Sequence, residues 1–258
     1  MKQNGIPDAI LLDFGGVLVD VLYRPAGLRE IALEVRDLLR RSGANSIGPD
    51  RIERDVRSAW KAYADWKNAE GRRPHPREIT HREFWEEFVA ADWPERARAV
   101  VTERASALCE HLDLATKDRP AKLDAVETLA ALARQRIPMA LVSNALCGAG
   151  SRALVRAHGF DSYLSVQIYS DEAGIRKPNP DIFRIAADAL AADISRCWYV
   201  GDTIDRDVLG ARRAGVGKVL LMPSSLTGLG NDAVVQPDVL VKTPSELLAL
   251  LPHRPVSP

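Results

Sequence analysis

The sequence predicts an α/β fold: a doubly wound, mostly parallel sheet that carries an inserted all-helical domain. Three observations predict it. The aliphatic run Ala9-Ile10-Leu11-Leu12 stops at Asp13-Phe14-Gly15-Gly16, which reads as a buried strand ending in a turn. From about Ala121 onward, short aliphatic runs alternate with helical patterns, as in parallel strands joined by helical crossovers. Between these parts, from about Pro25 to Asp113, the pattern is nearly all helical. The first strand has no partner helix of its own, so the helical stretch reads as an insertion into one α/β domain.

The elements follow in order. Leu28, Ile31, Val35, Leu38 and Leu39 recur at helical spacing, and Ser42-Gly43 closes that helix. Pro49-Asp50 opens a second helix through Ile52, Val56, Ala59, Trp60, Tyr63 and Trp66, ending near Gly71. Thr80 is a suitable N-cap for a third, carrying Phe84, Trp85 and Phe88. A fourth runs from near Pro94 to about His111. Four Trp, at positions 60, 66, 85 and 93, fall in this half, and aromatics at helical spacing read as core. In the α/β half we expect helices over Leu123–Arg134, Arg152–His158, Pro180–Ala192 and Asp205–Ala214. Strands are expected over Pro138–Val142, Tyr163–Tyr169, Cys197–Val200, Lys218–Met222 and Val239–Val241. The expected division is an α/β core of residues 1–20 and 118–258, with a helical domain over 21–117.

Composition narrows the classes of function. Of 258 residues, 46% are hydrophobic and 27% charged, ordinary values for a globular chain with a real core. The 35 basic residues balance 35 acidic ones, which gives no electrostatic reason to expect nucleic acid or an anionic membrane as partner. No uninterrupted apolar segment is long enough to span a bilayer. Met1-Lys2-Gln3-Asn4-Gly5 leads into a strand and not into a signal-peptide core. Cys109, Cys147 and Cys197 are far apart with no paired metal spacing, so we expect them reduced, in a cytoplasmic protein. The Pro-rich tail, Pro252 to Pro258, is expected to fray.

Four strand-end segments carry the candidate chemistry. Asp13 places a carboxylate at the carboxyl end of the first strand, where open α/β sheets hold ligands. Leu141-Val142-Ser143-Asn144 brings a hydroxyl and an amide to a second strand end. In Arg176-Lys177-Pro178-Asn179-Pro180, the proline biases Lys177 toward extended backbone, and Asn179 can cap the helix that Pro180 opens. Gly201-Asp202-Thr203-Ile204-Asp205-Arg206-Asp207 ends another strand on an acid and enters a helix through two more. Each segment alone has an ordinary reading as a turn, a solvated lysine or a helix-start acid. Their joint order is harder to assign to chance.

These four segments resemble the four motifs of the haloacid dehalogenase-like (HAD) hydrolases, whose core is Rossmann-like. The helical stretch lies where many members carry a cap. The resemblance implies that Asp13 is a nucleophile forming an aspartyl-phosphate that water cleaves. It implies that Ser143 and Asn144 donate hydrogen bonds to the phosphoryl oxygens and that Lys177 supplies positive charge beside them. Two carboxylates would repel an anionic substrate, so a hard cation, Mg²⁺, is expected. Asp13, Asp202 and the Gly15 carbonyl would be its direct protein ligands. Asp207 would stand near or just outside them, with Asp205 a weaker alternative. The expectation is a Mg²⁺-dependent phosphatase of a small phosphorylated metabolite. The alternatives are a non-catalytic phosphate-binding or regulatory protein, and a metal-independent 2-haloacid dehalogenase.

One departure stands out. Phosphatases of the family carry a second Asp two residues after the nucleophile, which protonates the leaving oxygen; here that position is Gly15. Asp20 is a candidate replacement acid. The dehalogenases also lack that Asp, but they have little use for an acid cluster like Asp202 with Asp207. Arg72-Arg73-Pro74-His75-Pro76-Arg77 is the most basic stretch of the expected cap and reads as a solvated loop ahead of a phosphate-gathering surface. His75, His81, His111 and His158 show no metal or triad spacing.

Overall fold

Six strands, the inner ones β1, β4 and β6 buried throughout, form the centre of the molecule. The computed structural model describes residues 5–228 and 234–252; most of the Pro252–Pro258 tail and the first four residues lie outside them. In chain order the elements begin with strands β1 (Ile10–Leu12) and β2 (Leu22–Tyr23). Helices α1 (Gly27–Arg41), α2 (Pro49–Glu70), α3 (His81–Glu83, continued by a wider π turn over Phe84–Val89), α4 (Glu95–Glu103) and α5 (Ala105–Thr116) follow. Then come β3 (Lys117–Asp118), α6 (Ala125–Arg134), β4 (Met139–Ser143), α7 (Gly148–Ala157), β5 (Val166–Tyr169), α8 (Ser170–Ala173) and α9 (Asp181–Ala189). The chain continues with β6 (Trp198–Gly201), a π turn (Ile204–Val208) running into α10 (Leu209–Ala214), β7 (Lys218–Leu221), β8 (Val239–Leu240) and α11 (Glu246–Ala249).

The sheet order is β5-β4-β1-β6-β7-β8, every pair parallel. Parallel strands covered on both faces need apolar residues at every position, and β1 supplies them. Ile10 and Leu12 join the cluster on one face, with Leu141, Val200 and Leu220. Leu11 joins the other, with Ala140, Val142, Tyr199 and Val219. Leu12 lies level with Leu141 on one side and Val200 on the other. That register brings three strand ends to one edge and sets Asp13, Ser143 and Asp202 beside one another.

The stretch between β2 and β3 is helical, as expected. Its core runs from Leu28 to Leu112 and takes in Leu146 and Cys147 from the turn after β4. Tyr63, Phe84, Trp85, Phe88 and Trp66 pack on one another at ring separations of 5.7 to 6.3 Å, so the aromatics are core. Thr80 caps α3 in a reciprocal capping box with Glu83. The helix expected from Pro94 to His111 is two helices, broken at Arg104 (φ −100°, ψ 11°). The antiparallel pair β2–β3, with two residues in each strand, was not anticipated, because two residues are too few to show a period. It ties the entry and exit of the helical stretch together. Strand and helix bounds in the other half agree within a few residues, except that α7 begins at Gly148, before Arg152.

Candidate active site

Asp13 follows β1 directly, and its amide donates to the Val200 carbonyl at 2.9 Å, continuing the sheet by one residue. The Asp13 carboxylate Oδ1 accepts from the Phe14 amide at 2.7 Å and pairs with Lys177 Nζ at 2.9 Å. Lys177 reaches this point from the loop between α8 and α9, and its side chain is 2% exposed. Asn144 holds that loop: its Nδ2 donates to the Lys177 carbonyl at 3.0 Å, and its Oδ1 accepts from the Lys177 amide at 2.8 Å. The described bonds of the Asn144 amide thus go to the lysine backbone, and it positions Lys177. Asn179 Oδ1 accepts from the Asp181 amide at 3.0 Å, the expected turn at the start of α9. The Lys177–Pro178 peptide is cis, which the sequence did not indicate.

Asp207 is the hub of the site. Its Oδ1 pairs with Lys177 Nζ at 2.7 Å and accepts from the Tyr199 hydroxyl at 2.5 Å. Its Oδ2 accepts from the Asp202 amide (3.2 Å), the Thr203 amide (2.9 Å) and the Thr203 hydroxyl (2.5 Å). Both oxygens thus bond neighbouring groups, and Asp207 orients Lys177 and the Asp202 turn. Gly201 makes this possible, because a Cβ there would collide with the Asp207 side chain. Gly16 (φ +77°) does the same for Asp202, whose carboxylate occupies the space a Cβ would take. Asp202 Oδ2 also accepts from the Ser224 hydroxyl at 2.5 Å, and the Thr227 hydroxyl donates to the Asp202 carbonyl at 2.6 Å.

Oxygens of Asp13, Asp202 and Asp207 lie within 4.8 Å of one another. Burial raises the Asp13 carboxyl to about 6; Lys177 opposes that rise and Asp207 adds to it. Burial, reinforced by the charges of Asp207 and Asp13, raises Asp202 to about 8. Burial also disfavours the Asp207 charge, but Lys177 and Arg206 outweigh it and hold that group well below the usual carboxylate range. Lys177 is raised: burial opposes its charge, and the two carboxylates prevail. Three carboxylates share the cleft with one ammonium and the Arg206 guanidinium, and a divalent cation with oxygen ligands suits that donor set. Asp13, Asp202 and the Gly15 carbonyl are the residues that would hold it.

These groups line a cleft of about 120 Å³ with Phe14, Val21, Ser143 and Asn144 on the strand-end side. Lys67, Asp113, Lys117 and Arg119, from the helical stretch and its exit, and Arg206 also line it. Ser143 thus lies where it was expected. Asp205 does not line the cleft; its carboxylate is 3.8 Å from Arg206 Nε. Asp20 is turned away into a neighbouring cavity, half exposed and paired with Lys122 at 3.1 Å. At Gly15 a Cβ would meet Val21 Cγ2 at 3.0 Å, so a side chain there would need Val21 to give way slightly.

The basic stretch 72–77 lies outside the cleft. Arg77 pairs with Glu83 and Arg73 with Glu70. The segment instead joins the two halves. Glu78 pairs with Arg176 at 2.7 and 2.9 Å, both side chains almost fully buried, and accepts from the Ser170 hydroxyl at 2.6 Å. Cys147 stands near His81 and Asp171 and not at the cleft, and His81 Nε2 is 3.2 Å from Asp171. Sequence reasoning missed Tyr199, Ser224, Lys67 and Arg119. Tyr199 sits mid-strand among apolar residues, and the other three fall in no motif.

Comparison with known proteins agrees with this geometry. The chain is 33% identical over 127 residues to a glyceraldehyde 3-phosphate phosphatase of Methanopyrus kandleri, covering 48% of this chain and 54% of that protein. It is 35% identical over 143 residues to a phosphoserine phosphatase of Thermus thermophilus, covering 55% and 53%. It thus spans about half the length of these curated relatives. The crystal structure of CbbY from Rhodobacter sphaeroides in complex with phosphate shares the fold, with a TM-score of 0.61 at 19% identity, covering 95% of this chain and 99% of that one. Residues 7–215 match the haloacid dehalogenase-like hydrolase family, and the chain belongs to that family.

Proposed function

We propose that this protein is a Mg²⁺-dependent phosphomonoesterase that hydrolyses a small phosphorylated metabolite through an aspartyl-phosphate on Asp13. The observation that carries this reading is the set of three buried carboxylates gathered about a single lysine. The phosphatase names of the relatives support it. The acid cluster also favours a phosphatase over a metal-independent dehalogenase, which would bury those charges to no use. We assign residues 1–20 and 118–258 to the core and 21–117 to the cap, a division supported by the β2–β3 pair at its border. Three free, buried cysteines fit a reducing cytoplasm. Among the described residues, no helix is long and apolar enough to cross a membrane.

The chemistry follows from the residues. An Asp13 oxygen attacks phosphorus, and the bond from phosphorus to the leaving oxygen breaks. Lys177 holds Asp13 by Oδ1 and offsets charge on the phosphoryl oxygens, the main requirement of phosphoryl transfer. Ser143 donates from the adjacent strand end. A bound Mg²⁺ would supply further charge neutralisation at Asp13 and Asp202. Water then attacks phosphorus, releasing phosphate and restoring the carboxylate. With Gly15 and Val21 where an acid would sit, substrates whose leaving oxygen needs little protonation are favoured. The test is phosphate release from p-nitrophenyl phosphate with Mg²⁺ and with chelator. Release that requires the metal and disappears in folded Asp13→Asn supports the reading. Release that survives the substitution refutes it.

A further inference from the structure

The cleft gathers two groups of charged side chains. From the strand ends and the turn after β6 come Asp13, Lys177, Asp202, Arg206 and Asp207. The helical stretch and its exit add Lys67 from α2, Asp113 from α5, Lys117 in β3 and Arg119 just beyond it. This second group sets three cations against one carboxylate. Asp113 is shared: Lys117 Nζ donates to it at 2.7 Å and Arg119 Nη2 at 2.7 Å to each oxygen. Lys67 makes no ion pair among the described residues; its ammonium lies 4.6 Å from the centre of the Tyr63 ring. The Arg119 side chain is 7% exposed, yet its Nη1 is buried with no hydrogen-bond partner. Buried guanidinium nitrogens are rarely left unpaired, because desolvation without a partner is costly. A lysine without an ion pair and an open buried guanidinium donor, lining the same small cleft as the phosphoryl site, make a built receptor for an anion.

We propose that Lys67, Lys117 and Arg119 bind a second anionic group of the substrate, so that the preferred substrates are phosphomonoesters carrying a carboxylate or another phosphate. The inference rests on the phosphatase reading of the same cleft. The low proton affinity of Lys67 agrees with it. Burial first, then the charges of Arg176, Lys117 and Arg206, push that ammonium well below its ordinary pKa, and an anion beside it would relieve that penalty. An anion on Arg119 would also complete the guanidinium without disturbing its pair with Asp113. Lys67 and Arg119 come from the helical insertion and its exit, so the same contacts close the cleft over the substrate.

The test compares matched substrates. 2-Phosphoglycolate differs from ethyl phosphate by a carboxylate in place of a methyl, and propane-1,3-diol bisphosphate differs from propyl phosphate by the second phosphate. We expect kcat/KM to favour the doubly anionic member of at least one pair by about tenfold or more, chiefly through KM, as one or two charged hydrogen bonds would give. The favoured pair identifies the anion. Lys67→Met, which orphans no carboxylate, should bring that ratio close to one. Ratios near one in the wild type, or an unchanged ratio in Lys67→Met, overturn the inference while hydrolysis of p-nitrophenyl phosphate leaves the phosphatase reading standing. A variant that slows all four substrates alike also overturns it, since Lys67 would then serve the reaction itself. If no ester is hydrolysed, the phosphatase reading fails and the subsite is judged by binding. 2-Phosphoglycolate or the bisphosphate must then raise the wild-type Tm more than its singly anionic partner does, an increment lost in Lys67→Met. Equal increments overturn the inference.

Discussion

At the scale of single residues, Gly15 and Val21 decide how well the site can move a proton. A side chain at position 15 would enter the cleft two residues after Asp13, but Val21 Cγ2 lies 3.0 Å from where its Cβ would be. Gly15→Asp alone therefore needs Val21 to move, and the informative variant is Gly15→Asp with Val21→Ala. We expect it to speed phosphate release from alkyl phosphates by up to about 10²-fold, the lower end of what general acid–base help supplies, with little change for p-nitrophenyl phosphate. Steady-state assays of the two ester classes check this; equal effects on both would contradict it. The raised carboxyls give a second prediction. Asp13 at about 6 and Asp202 at about 8 both stand above the usual 3.8. The folded protein holds these protons more tightly than the unfolded chain does. Their contribution to stability is therefore full below about 3.8 and is lost as pH rises through 6 and then 8. A bound cation removes that loss. We expect the rise in Tm on adding Mg²⁺ to be larger at pH 8 than at pH 5, and thermal melts at the two pH values measure it.

At the scale of elements, Glu78 and Arg176 join the helical insertion to the loop that carries Lys177. Both are buried and paired at 2.7 Å, and Arg176 directly precedes Lys177 in sequence. Removing one partner leaves a buried charge alone. We expect Glu78→Gln to cost about 3–5 kcal/mol in urea unfolding, and Glu78→Gln with Arg176→Met to recover part of it. A cost below about 1 kcal/mol for the single variant, the range of an exposed pair, would contradict this. This pair also shows where sequence reading stops. Thr80 was legible as an N-cap because capping is local, and its box partner Glu83 stands only three residues on. Glu78 and Arg176 are 98 positions apart, and no local pattern marks them as partners. The break between α4 and α5 at Arg104 was illegible for another reason: the apolar period continues through it from Val101 to Leu108.

At the scale of the molecule, the sheet was legible because burial on both faces forces each strand to be aliphatic and so to declare itself. The order β4-β1-β6 then fixes which loops meet, and Asp13, Ser143, Lys177 and Asp202 converge as their positions at strand ends implied. The roles of Asn144 and Asp207 were not legible, since residue type alone does not say whether an amide or a carboxylate faces a ligand or a neighbouring backbone. The cationic wall of the cleft was hidden as well, because Lys67 and Arg119 look like surface residues of a helix and a linker. A chain with no net charge thus gathers eight charged side chains and a ninth, Arg206, about one small cleft. The most direct measurement is an acid-quenched reaction with a radiolabelled aryl phosphate and Mg²⁺, followed by peptide mapping. We expect label on the peptide containing Asp13, labile to hydroxylamine and absent from Asp13→Asn. Phosphate released at the wild-type rate with no labelled peptide, or with Asp13→Asn still active, would contradict the nucleophilic role of Asp13.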